Sequence, residues 1–260
     1  VASNLFPCVD VAVAILLEFL YRLSFGLALA MGLTSPRLVP SGFFRVHLYV
    51  LLGIGALAAL VTWQRPDLGS IALPIVIAMV SYFGAALWLY ERAGPGLVTL
   101  WLVALLALVA AWDATPLIGN STSERWLTRL DPLTGGLILG STMAAMLLGH
   151  WYLNTPTMQL APLKKLIVLM VVSVVLRTVV EGMKIQAAAD AGLSGSGAWF
   201  ALLRWLSGIV GTLVVAVMAW QTLKIPNTQS ATGILYVGVI VTFIGELTAL
   251  LLSQSTAVGL

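Results

Sequence analysis

Residues 164–186 read KKLIVLMVVSVVLRTVVEGMKIQ. Behind Lys164-Lys165 the stretch is apolar for long enough to cross the membrane, since about 20 helical residues span about 30 Å of hydrocarbon. Arg177 and Glu181 interrupt it four residues apart, which places them on one helical face. A run this long and this apolar, carrying one internal acid–base pair, reads as a transmembrane helix rather than a buried soluble one. It points to an all-α integral membrane protein.

The rest of the chain agrees. Sixty per cent of the residues are hydrophobic and 9% are charged, where a soluble domain carries about a quarter charged residues. Mean hydropathy is +1.03. Eight spans are expected in a single polytopic domain over 1–260: roughly 8–33, 43–63, 69–91, 96–113, 133–154, 164–186, 198–224 and 231–253. Pro36 to Gly42, Arg65-Pro66-Asp67, Gly94-Pro95-Gly96, Thr155-Pro156, Gly192 to Gly197 and Pro226-Asn227 supply the turns between them. The longest connection, 114–132, contains Glu124 to Leu130, which reads as a short amphipathic helix on the membrane surface. No sequence repeat links the first four spans to the last four.

Several classes are excluded. The basic residues that give the net charge of +3 sit beside apolar segments, so they speak for a lipid bilayer and not for nucleic acid. Cys8 is the only cysteine, which rules out an intramolecular disulfide or a thiolate cluster. Let side A be the side on which the first span begins. Side B then holds Arg37, Arg45, Arg92, Lys164, Lys165 and Lys224, and side A holds Arg65, Arg125, Arg129 and Lys184. The Lys/Arg bias favours side B as cytoplasmic, with both termini on the non-cytoplasmic side of a bacterial inner membrane. Trp63, Trp88, Trp101, Trp112, Trp151, Trp199 and Trp220 fall near span ends, as an aromatic belt would.

The two histidines make one candidate site. His47 lies a turn inside the second span and His150 a turn before the end of the fifth, so both are expected near side B at matched depth. Two imidazoles so placed could be the axial ligands of one b-type haem, with the iron between them. Arg45 and Lys164-Lys165 lie at the level of its propionates. The other reading makes each histidine an ordinary interfacial polar residue.

Charges within the spans make a second candidate. Glu18, Arg22, Arg177, Glu181, Arg204 and Glu246 all fall inside apolar segments, and intramembrane ionisable residues pair and often mark function. Direct contact between the first and sixth spans would set Glu18 beside Glu181 and Arg22 beside Arg177; an offset would cross-pair them. Glu18, Glu181 and Glu246 are the candidates for proton handling. Arg22, Arg177 and Arg204 would balance charge or polarise a quinone oxygen. The alternative is a set of salt bridges that only lock helices together.

Gly245-Glu246-Leu247 resembles a tripeptide in the final helices of haem-free, quinol-reactive membrane anchors of molybdoenzymes. The likeness covers three residues and implies a quinone site without haem. The leading expectation is a membrane subunit of an electron-transfer complex, working with other subunits, binding haem b through His47 and His150 and exchanging electrons and protons with quinone. The competing ones are a proton-coupled transporter built on the Glu/Arg cluster and a haem-free quinone-reactive or structural anchor.

Overall fold

Inside hydrocarbon every backbone N–H and C=O must be bonded within the protein, and a helix does this without help from neighbours. Each of the eight apolar stretches accordingly forms a helix. The structure, a computed structural model, describes residues 6–116, 122–155, 157–189, 202–225 and 227–258, together with Trp199. The helices are α1 (Phe6–Gly32), α2 (Ser41–Gln64), α3 (Ala72–Leu89), α4 (Ala93–Ala114), α5 (Thr122–Asn154), α6 (Ala161–Ala189), α7 (Leu202–Thr222) and α8 (Thr228–Val258). All eight are long and apolar enough to cross a membrane. The described residues contain no strand. The Gly192–Gly197 loop lies outside the described residues.

One boundary differs from the sequence expectation in a way that matters. Residues 124–130 do not form a separate surface helix; they continue into α5, which runs unbroken through Pro132. Asp131 is thereby moved from a loop into the base of a membrane helix.

The helices pack as two groups of four. α1 contacts α2 and α4, α2 contacts α3, and α3 contacts α4; the same ring recurs among α5, α6, α7 and α8. A broad contact between α1 and α5 joins the groups. These two helices form the axis: 72% and 78% of their most apolar stretches are buried, against 33–44% in the other six. Glycine permits this approach. A Cβ on Gly26 would fall 1.7 Å from the Gly136 carbonyl oxygen, and one on Gly140 would fall 1.8 Å from the Gly26 carbonyl carbon. Only backbone without side chains can come this close, the usual device for tight helix pairs in lipid.

The outer faces are apolar and exposed, as lipid requires. Trp63 and Trp199 are more than 70% exposed at helix ends, in keeping with an aromatic belt. Trp88 departs from it: the indole is buried and stacks on Phe44 with ring centroids 4.2 Å apart. On side A, Arg65 pairs with Asp67 at 3.1 Å and also with Asp10, tying the start of α1 to the α2–α3 turn. Hydrogen bonds from Arg65 hold the Asp67 carboxyl below its usual range.

Candidate functional site

Near side A, five helices deliver charged side chains into one buried cluster. Glu18 and Arg22 come from α1, Asp131 from α5, Arg177, Glu181 and Lys184 from α6, Arg204 from α7 and Glu246 from α8. The six charges named from sequence are all present. Asp131 and Lys184 complete the set, giving four carboxylates and four cations.

Asp131 is the hinge of the network. Its Oδ2 accepts from Arg22 Nη2 at 2.6 Å and its Oδ1 from Arg177 Nη1 at 2.8 Å, and Lys184 donates to Oδ1 as well. Arg177 also grips Glu246 with two bonds, Nε to Oε1 at 2.8 Å and Nη2 to Oε2 at 2.7 Å, and Nη1 donates to the Thr134 hydroxyl at 3.1 Å. A planar guanidinium is suited to this two-pronged bond in a way an ammonium is not. Arg22 Nη1 lies 3.8 Å from Glu246 Oε2. Glu181 Oε1 lies 2.5 Å from Arg204 Nη2 but out of line for a hydrogen bond, and 3.4 and 3.5 Å from Arg177 and Lys184.

The expected direct pairing of α1 with α6 is therefore corrected. Glu18 does not sit beside Glu181, and Arg22 is not placed against Arg177. Asp131 and Glu246 each lie within ion-pair distance of both arginines, so Arg22 and Arg177 share two carboxylates. Space for this comes from α5: a Cβ on Gly135 would fall 2.6 Å from Glu246 Oε2 and 2.9 Å from Arg22 Nη1. On α7, the residues after Arg204 widen into a π-helical stretch, Trp205–Gly211. Within it Gly208 packs on Gly245, where a Cβ would meet Gly208 Cα at 2.2 Å, so Glu246 enters from a backbone pressed against α7. Interruptions of this kind are frequent at functional sites.

Burial sets the energetics. Glu18, Arg22, Arg177, Glu181 and Glu246 are each 3% exposed or less. Eight charges at about 2.5–3.5 kcal/mol each on insertion scales amount to roughly 20 kcal/mol or more of gross cost, which only complete pairing offsets. The network nevertheless has open ends. Glu18 Oε1 accepts from Arg22 and, at 2.7 Å, from the Thr115 hydroxyl, while Glu18 Oε2, Arg22 Nε and Arg22 Nη1 are buried without a hydrogen-bond partner. Half-buried Thr115 and Lys184, 30% exposed in its side chain, lie on the side-A flank of the cluster.

The histidines occupy the other end. His47 is buried, and its Nδ1–H donates to the Phe43 carbonyl at 2.6 Å, which fixes the tautomer and leaves Nε2 an acceptor. Its ring packs on Phe43 with centroids 4.3 Å apart and meets Trp151 at 6.4 Å. Spans two and five thus touch at side B, but through Trp151. His150 is one residue earlier, about 100° around the helix; it is exposed and its Nδ1 lies 3.2 Å from the Tyr236 hydroxyl of α8. A bis-histidine haem needs both rings to face one slab from opposite sides. Here aromatic rings flank His47 and His150 turns to another helix, so the pair does not fit a shared haem. Arg45 is half-buried, and Lys165 donates to the Leu33 carbonyl at 2.6 Å, just past the end of α1.

Asp131, Lys184, Thr115 and Thr134 are the residues that sequence reasoning missed. The usable signal was the charge of Asp131 three residues before Thr134-Gly135-Gly136, where small residues invite close packing. Comparison with protein-family models, with curated proteins and with solved structures finds no match to this chain.

Proposed function

We propose that this chain is a membrane subunit of a quinone-linked electron-transfer complex, that its charge centre handles the protons of the quinone reaction, and that no haem is needed between its histidines. One observation carries the reading: at the α1 edge of the network an acceptor (Glu18 Oε2) and donors (Arg22 Nε and Nη1) lack a hydrogen-bond partner, as Glu181 Oε1 and Arg204 Nη2 also do. A free acceptor beside a free donor complements a hydroxyl, which both gives and accepts a hydrogen bond. Bound quinol supplies electrons and protons together. Arg22 holds the ring oxygen, Glu18 takes the hydroxyl proton, and Thr115 and Lys184 connect the centre to side A. The electrons leave to a redox centre of a partner subunit. The Lys/Arg bias puts side B toward the cytoplasm of a bacterial inner membrane, with both termini outside.

The test is equilibrium binding of a radiolabelled short-chain quinone analogue to the full chain in detergent. Saturable binding is expected, weakened at least tenfold, by our estimate of about 1.4 kcal/mol per decade, in Glu18→Gln and in Arg22→Lys. Absence of saturable binding to the wild type would overturn the reading. A second reading, a proton-coupled carrier, draws support from the position of the cluster where the two groups of helices meet, since repeat-built carriers hold their substrates between their halves. A carrier would show substrate-driven proton flux without quinone binding.

A further inference from the structure

Where α1 meets α8, the charge centre is flanked by hydrocarbon. Ile15, Phe19 and Leu23 of α1, Leu139 of α5 and Leu250 of α8 form a buried apolar cluster distinct from the larger core. Ile54 of α2, Met143 of α5 and Phe243 of α8 pack on it and are only half-buried. Beside them in sequence the lipid face begins: Leu16 is 40% exposed, Leu247 37% and Leu251 49%. The cluster thus fills a seam between the two groups of helices, buried at its floor and half-exposed at its edge.

The seam is continuous with the charge centre on three helices at once. Residues three or four apart share a helical face. Ile15, Phe19 and Arg22 form such a stripe on α1, Gly135, Leu139 and Met143 on α5, and Phe243, Glu246 and Leu250 on α8. One member of each stripe meets the others at a single point. A Cβ on Gly135 would stand 2.6 Å from Glu246 Oε2 and 2.9 Å from Arg22 Nη1, and those two atoms are 3.8 Å apart. The remaining members line the seam. Arg22 Nη1, a buried donor without a hydrogen-bond partner, therefore lies where polar centre and apolar wall join. Two rings meet across the seam nearby: Phe19 and Phe243 pack edge to face with centroids 5.1 Å apart. Arg22 turns back along α1 to donate to Glu18, which brings its guanidinium to the level of Phe19. Phe19 is buried, whereas half-buried Phe243 borders the exposed Ile244.

We infer that the α1–α8 seam holds the hydrocarbon tail of a lipid-borne quinol whose head sits at the charge centre, with Phe243 at its entrance. Because the head site is that of the proposed function, the assignment rests on that reading. The chemistry selects this occupant. A phospholipid acyl tail would suit the wall alone, but its headgroup stays at the membrane surface and leaves Arg22 Nη1 without an acceptor. A hydroxylated ring with an attached tail serves both ends: the ring oxygen accepts from Arg22, and the tail lies on Phe19, Leu139 and Leu250. Lipid is as apolar as these side chains, so the seam adds little hydrophobic gain. What it supplies is direction, leading a head dissolved in the bilayer to the buried donor.

Photolabelling tests it. The full chain in liposomes is illuminated with a quinone analogue whose alkyl tail ends in a diazirine, and labelled peptides are mapped by mass spectrometry. Labelling is expected on the seam residues of α1, α5 and α8, above that of the outward faces of α3 and α4 by about tenfold, equivalent to about 1.4 kcal/mol in binding. Excess short-chain quinone should remove it. Phe243→Trp, which adds bulk at the entrance, should lower it by a similar factor, and Leu247→Trp on the exposed face should not. An alkyl diazirine without a quinone head should label all lipid-facing helices alike. Seam labelling that survives competition, or that the headless probe reproduces, means ordinary lipid fills the seam and overturns the assignment. Wild-type labelling in Phe243→Trp overturns the entrance. Saturable binding of the short-chain quinone is measured on the same preparations. Its absence sinks the proposed function and the seam with it, whereas intact binding with dispersed labelling sinks only the seam.

Discussion

Gly135 lies directly against Glu246: a single added carbon at position 135 would stand 2.6 Å from the Glu246 carboxylate. The chain leaves out a side chain on its most buried helix so that an acid from α8 can reach two arginines. Gly135→Ala should therefore push Glu246 away from Arg177. Overpacking costs about 1–3 kcal/mol, and here a strained ion pair adds to it. The expected result is a clear fall in the thermal midpoint of the purified protein in detergent. An unchanged midpoint would mean the centre is looser than its distances indicate.

Asp131 binds Arg22, Arg177 and Lys184 at once. Asp131→Asn keeps the shape but strands buried cations, and breaking a buried pair costs about 3–5 kcal/mol. Loss of folded protein on size exclusion is expected. Asp67→Asn, which breaks an exposed contact to Arg65, should leave the elution profile as it is.

Glu246→Gln retains the shape of the carboxylate and removes its charge. If the cluster handles protons, quinone turnover by the assembled complex should fall at least tenfold while the protein still purifies as a folded species. Turnover at the wild-type rate would make Glu246 a packing residue.

A dithionite-reduced minus oxidised spectrum checks the histidines. With His47 hydrogen-bonded back to Phe43 and His150 turned to Tyr236, no b-type α-band shared by the two is expected. A band that disappears in both His47→Ala and His150→Ala would overturn that geometry.

Gly26→Leu tests the axis. The α1–α5 contact has no room for a side chain at this position, so the substitution should separate the two groups of helices. Loss of folded protein on size exclusion is the readout, with Gly53→Leu as the control, since a Cβ at Gly53 meets nothing within 4 Å.

The eight spans were legible in the sequence because a hydrophobic run reports directly on solvent. So was the level of Glu18, Arg22, Arg177, Glu181, Arg204 and Glu246, because depth follows from counting residues along a helix. Adjacency was not legible. Which helix meets which depends on glycines such as Gly26, Gly136 and Gly140, whose effect appears only when two backbones are side by side. Asp131 was hidden for a related reason: preceded by polar residues 124–130 and followed by Pro132, it looked like the end of a loop. The histidines show the same division, since their shared depth could be counted but the rotation of His150 away from His47 could not.

The distribution of acids and bases also bears on how the chain is made. α1 leaves the ribosome before α2 to α8 and carries Glu18 and Arg22 as an internal pair, so these two charges can enter the bilayer neutralised before any of those helices is present. α6 does the same with Arg177 and Glu181. The charges that lack a partner on their own helix, Arg204 and Glu246, belong to the last two helices, and their counter-ions on α6 are already in the membrane when they emerge. Asp131 arrives between these stages and meets Arg22, synthesised earlier. Each unpaired charge thus finds its counter-ion in a segment translated before it. The order of synthesis is the order in which the membrane can accept them.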